Sequence, residues 1–103
     1  MSVLMEFAMF PTDKGESVSE AVSRIIRMVR DSGVAYRLTP MGTIVETPTL
    51  EAALSIVQRS HDLLKEDAGR IYATVKLDIR KGREGRMTGK IRSVTDRIGD
   101  VET

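Results

Sequence analysis

Apolar positions recur with two different periods along this chain, and the changes of period mark out its elements. Val3, Met5, Phe7 and Met9 alternate with Ser2, Leu4, Glu6 and Ala8, the two-residue repeat of a strand with one apolar face, and Pro11, Asp13 and Gly15 end it. Ser17 and Glu20 then stand at the S-x-x-E spacing of a capping box, in which hydroxyl and carboxylate satisfy free amides at a helix start. Val18, Ala21, Val22, Ile25, Met28 and Val29 follow at three- and four-residue steps opposite Arg24, Arg27 and Arg30, and Gly33 supplies a left-handed exit. Two β-prone runs, Val34 to Thr39 and Thr43 to Thr47, flank Pro40-Met41-Gly42, where proline fixes one dihedral and glycine tolerates a positive one. They predict a hairpin. Thr47-Pro48-Thr49 opens a second helix with a stripe through Leu50, Ala53, Leu54, Val57, His61 and Leu64, running until Gly69. From Ile71 the period returns to two, with Ile71, Ala73, Val75, Leu77 and Ile79 facing one way and Tyr72, Thr74, Lys76, Asp78 and Arg80 the other. After a charged loop from Lys81 to Arg86, the spacing of Ile91, Val94 and Ile98 predicts a short last helix over Thr88 to Ile98.

The order strand, helix, strand, strand, helix, strand, helix contains the split β-α-β pattern. It predicts an α+β domain of ferredoxin-like fold over residues 1–99, with a four-stranded antiparallel sheet, two helices on one face, an extra C-terminal helix and a tail at 100–103. The apolar sides of the strands should meet the two helical stripes. The other sheet face then stays uncovered and carries Leu4, Glu6, Phe10, Tyr72, Thr74, Lys76 and Asp78, a mixture suited to another subunit or to a ligand.

Composition narrows the chemistry. A chain of 103 residues holds one domain, and the absence of cysteine excludes disulfides, thiolate metal sites and cysteine nucleophiles. One histidine excludes a multi-histidine metal centre within a subunit, so no metal or cofactor is expected. Sixteen basic against fifteen acidic residues leave a charge of +1, too small a field to argue for nucleic acid or an anionic membrane. Met1 to Phe10 is apolar but carries Glu6, lacks a basic leader and is too short for a signal peptide, and no apolar run nears the roughly 20 residues of a membrane span. A cytoplasmic location is the expectation.

Few side chains invite catalysis. His61 has no partner placeable from spacing and is expected to pack on the second helix. Between Lys76 and Arg92 seven basic residues face only Asp78 and Glu84, which could hold a phosphate, yet the stretch has neither the aromatic motif of RNA-binding sheets nor a phosphate-loop glycine spacing. A solvated loop is expected instead. Glu6, mid-strand on the open face, can pair with Lys76 or Thr74 across the sheet, or can receive an amine or aminopyrimidine. Met5, Met9 and Met28 read as core filler, and Met41 lies in the hairpin turn.

Four segments, the opening S-V-L-M-E-F-A-M-F-P, G-E-S-V-S at Gly15 to Ser19, L-T-P-M-G-T at Leu38 to Thr43 and K-L-D-I-R at Lys76 to Arg80, resemble the small thiamine-binding protein family of ferredoxin-like fold. The resemblance implies a non-enzymatic, cytoplasmic homotetramer, a dimer of dimers in which sheets associate. Thiamine or a hydroxymethylpyrimidine-like molecule would occupy a pocket near a subunit contact. Carried onto this chain, it points to Ser17 and Ser19 at the first helix start, to Thr39 and Thr43 around the turn, and to Glu6 on the sheet, with Phe10, Leu38 and Met41 packing on a flat ring. Helix capping is open for both serines, and an ordinary strand role for both threonines. With no Trp and four aromatics, a cation–π box for a thiazolium ring is poorly supplied, which favours the pyrimidine half of such a ligand. Two other classes stay open: a cofactor-free enzyme using the open sheet face as a cavity, and a regulatory or scaffold protein with a macromolecular partner.

Overall fold

The computed structural model describes residues 1–103. Its elements are β1 (Ser2–Pro11), α1 (Ser19–Asp31), β2 (Ala35–Thr39), β3 (Gly42–Thr47), α2 (Leu50–Leu64), β4 (Ile71–Arg80) and α3 (Arg86–Ile98). The strands form one antiparallel sheet in the order β2-β3-β1-β4, the ferredoxin-like arrangement that the period changes predict. Both long strands alternate in register, with Val3 opposite Ile79, Met5 opposite Leu77 and Phe7 opposite Val75. A shift of one residue would exchange the two faces, so the alternation itself fixes the pairing.

The core lies between the sheet and helices α1 and α2. Val3, Met5, Phe7 and Met9 are at most 6% exposed and meet Ala21, Ile25 and Val29 of α1 and Ala53, Ile56 and Leu64 of α2. Glycine at 33, with φ of +83°, ends α1 as its position suggests. Thr49 caps α2, its hydroxyl accepting from the Ala52 amide at 3.1 Å.

Five expectations are corrected. The capping box does not form: α1 starts at Ser19 behind Val18, with no side-chain cap bond, and Glu20 turns instead to Arg24 at 3.1 Å. An i,i+4 ion pair on the helix surface takes the carboxylate that the box would use. Gly42 does not have a positive φ; it belongs to β3, and a Cβ there would stand 3.2 Å from the Phe7 carbonyl oxygen, so close strand approach is what favours glycine. The buried stripe of α2 is Ala53, Ile56, Ser60 and Leu64, whereas Leu54 and His61 face solvent. Small residues at 53 and 60 let the helix settle over β1 and β3, which rotates His61 out of any packing role.

That position of α2 brings the fourth correction. It leaves β4 without a helix above it, so Val75, Leu77 and Ile79, on the same face as the core, are 38–48% exposed. Finally, α3 starts at Arg86 rather than Thr88 and is pinned on the opposite sheet face, so that face is not wholly bare and the basic segment is not wholly solvated. Arg86 is 5% exposed and donates from Nε to the Ser2 hydroxyl (3.0 Å), and from Nη2 to the Ser2 carbonyl (3.0 Å) and the Asp78 carbonyl. Glu46 accepts the Arg86 and Met87 amides, each at 3.0 Å, standing in for an N-cap from forty residues away. Burial works to raise the Glu46 carboxyl, but the hydrogen bonds from Met87, Arg86 and Ser2 outweigh it and hold the group below its ordinary value.

Candidate functional site

A cleft of about 270 Å³ opens where three segments converge at one end of the sheet: the last residues of β1, the β2–β3 turn and the first turns of α1. The turn is built by a single hydroxyl. Thr39 Oγ1 accepts from the Met41 and Gly42 amides at 3.3 and 3.2 Å and donates to the Gly42 carbonyl at 2.7 Å. One donor and two lone pairs are then all engaged, so Thr39 shapes the cleft and has nothing left for a ligand. Thr43 contrasts with it. Its side chain is buried in the cleft wall, and no intrachain hydrogen bond engages its hydroxyl.

Apolar side chains supply the rest of the lining. Phe7, Phe10, Val22, Ile26, Leu38 and Met41 are among them, with Met41 87% exposed. Phe10 also stacks at a tilt on Tyr72, its partner across the ladder on the open sheet face, ring centres 5.9 Å apart. The arrangement offers a mostly apolar cleft with one unengaged hydroxyl.

Of the eight residues singled out from the sequence, Phe10, Leu38, Thr39, Met41 and Thr43 therefore come together. Ser17 lines a separate recess of about 180 Å³ with Lys14, Arg24 and Asp67. Ser19 begins α1, its carbonyl accepting from the Ser23 hydroxyl at 2.6 Å. Glu6 lies on the open sheet face, pairs with Lys76 at 3.2 Å, and lines a depression of about 440 Å³ with Leu4, Ile44, Asp78 and Lys90. The two sites adjoin at Gly42, where an added Cβ would also meet Glu6 Cγ at 3.5 Å. In that depression Asp78 receives Lys90 at 2.6 Å and Arg86 Nη1 at 3.0 Å. The Lys90 and Arg86 hydrogen bonds together lower its pKa. The role of Glu46, Asp78 and Arg86 escapes a reading along the chain because Glu46 lies forty residues before Arg86 and the loop between Asp78 and Arg86 must fold back before the three meet at the sheet end; the one signal is an arginine beside the helix start.

A family model described as thiamine-binding protein matches residues 5–95. The chain belongs to this family. It is 38% identical over 94 residues to a UPF0045 protein of Mycobacterium bovis, covering 91% of this chain and 92% of that one. A crystal structure of a hypothetical protein from Methanocaldococcus jannaschii superposes with a TM-score of 0.82 at 26% identity, covering 92% and 97% of the two chains. A Thermotoga maritima protein, provisionally assigned to thiamine biosynthesis or salvage, shares the fold with a TM-score of 0.78 at 20% identity over 91% and 99%. Within the thiamine-binding protein family this chain thus has the family's fold over nearly its full length. No helix is long and apolar enough to cross a membrane, and no cluster of three His, Asp or Glu side chains is placed to hold a metal ion.

Proposed function

We propose that the protein binds thiamine or a hydroxymethylpyrimidine-like molecule reversibly and without transforming it, in the cleft between the end of β1, the β2–β3 turn and α1. The observation that carries this is the cleft that brings Phe10 and the first turns of α1 to the Leu38–Thr43 hairpin turn around one unengaged hydroxyl, in a chain of this family. Phe10, Leu38 and Met41 stack on the ring, and the Thr43 hydroxyl addresses a ring nitrogen or exocyclic amine. At about 270 Å³ the cleft falls just below the about 300–1,000 Å³ range of ligand sites, which suits the pyrimidine half better than an entire two-ring vitamin.

The assembly proposed with it is a cytoplasmic homotetramer, a dimer of dimers joined through the open sheet faces. Half-buried Leu4, Phe10 and Ile44 and the exposed Tyr72 on that face support it. Such a contact would close the mouth beside Phe10 and bring Glu6 of the floor to the ligand. Calorimetric titration of the full chain with thiamine and with hydroxymethylpyrimidine tests the reading. Saturable heat with at least one of them is expected, reduced in Met41→Asp; no heat at millimolar ligand would sink it.

A further inference from the structure

Methionine is the most readily oxidised side chain this protein has, because the sequence holds neither cysteine nor tryptophan, and its six thioethers differ widely in access. Met5 and Met9 are core residues, 0 and 6% exposed. Met28 and Met87 are half-buried, Met1 at the chain start is 45% exposed, and Met41 is 87% exposed. An oxidant arriving from solvent meets Met41 most openly.

The backbone at Met41 is held while its side chain is free. Because the Thr39 hydroxyl accepts from the Met41 and Gly42 amides, the turn presents the thioether at a constant place, and that place is the lining of the mostly apolar cleft. A change at this one sulfur alters the cleft without touching the core. The same change at Met5 or Met9 would put a polar group among packed apolar side chains, so their burial is what confines a low dose of oxidant to the turn.

We propose that Met41 is a modification site through which hydrogen peroxide reversibly lowers the ligand affinity of the cleft. The consequence rests on the ligand role proposed above; the chemistry does not. A sulfur lone pair attacks one peroxide oxygen, the O–O bond breaks, that oxygen stays on sulfur, and the departing hydroxide takes the proton and leaves as water. Sulfur gives up two electrons and the peroxide takes them. The sulfoxide is polar and hydrated, so packing it on a flat ring strips water from its oxygen, a cost the thioether does not carry. Its return to thioether consumes two thiols, which become a disulfide as the oxygen leaves in water, and a chain without cysteine must draw on a sulfoxide reductase for them. The exposure that admits peroxide admits such an enzyme as well.

The test treats the full chain with dilute hydrogen peroxide, maps sulfoxides by peptide mass spectrometry, and titrates thiamine and hydroxymethylpyrimidine before and after. Met41 is expected to oxidise about tenfold or more faster than Met5 and Met9, with circular dichroism unchanged while those two stay intact. Affinity should fall about tenfold once Met41 is converted, and return after incubation with methionine sulfoxide reductase and dithiothreitol. Met41→Leu, compared with its own untreated sample, should lose none of its affinity to peroxide, although Met1, Met28 and Met87 stay oxidisable in it. Met41 converting no faster than the buried pair overturns the proposal. So does a parent that binds equally well before and after conversion, or a Met41→Leu chain that loses as much as the parent. An untreated parent that binds neither compound overturns the ligand reading and this inference together, so the untreated sample tells the two failures apart.

Discussion

Strands β1 and β4 are each ten residues long, lie side by side, and alternate with the same period, yet one is the centre of the core and the other is open to solvent. Met5 is fully buried and its partner across the ladder, Leu77, is not. Alternation decides which side chains share a face; cover depends on what another element lays over that face. Here α2 sits over β1 and β3, drawn in by Ala53 and Ser60, so that β4 carries a core-like surface with no core on it.

The largest effect should come from the buried side of this pair. Phe7→Ala is expected to cost about 3–5 kcal/mol in chemical denaturation, because it empties a fully packed position. Val75→Ala, directly opposite, should cost under about 1 kcal/mol in dilute solution and more at concentrations where chains associate. Equal costs at low concentration would erase the contrast.

Next comes the anchor of α3. Arg86→Ala removes bonds to two backbone carbonyls and the Ser2 hydroxyl and is expected to cost about 2 kcal/mol, with faster hydrogen exchange confined to Met87–Ile98. Uniformly faster exchange would show that the anchor supports the whole sheet end.

Acid should act on the same anchor. The Glu46 and Asp78 carboxyls are depressed in the folded chain from 4.5 and 3.8, so their contribution is complete above those values and is lost as pH falls through the lower folded ones. Titration from pH 6 downward should therefore release α3 before the core melts, seen as loss of Met87 amide protection. Glu46→Gln should flatten the acid limb and lower stability at neutral pH.

The smallest change in stability is expected at the cleft. Thr43→Val keeps shape and removes a hydroxyl with no partner in the chain, so the melting midpoint should barely move, while ligand affinity falls about five- to tenfold. A large loss of stability would mean that the hydroxyl serves the fold.

The period changes of the chain were enough to locate seven elements and their order, since alternation and three-to-four spacing are local consequences of backbone geometry. They also marked the two faces of the sheet and put Glu6 within reach of Lys76 or Thr74, between which the register of the folded sheet selects Lys76. Half of the site was legible the same way: Leu38, Thr39, Met41 and Thr43 belong to one turn and one hairpin, so their proximity is written into consecutive residues. Ser17 was legible only as a residue type at a spacing, and the fold placed it in another recess.

What only the tertiary structure decided are the relations between distant segments. The rotation of α2 that exposes His61 depends on how small side chains at 53 and 60 nest on β1, and no periodicity records that fit. The cover denied to β4 and the carboxylate that Glu46 lends to a helix forty residues on are of the same kind, since burial and long-range hydrogen bonding are properties of assembled surfaces. Local geometry is set by neighbours along the chain, whereas solvent is excluded only by neighbours in space.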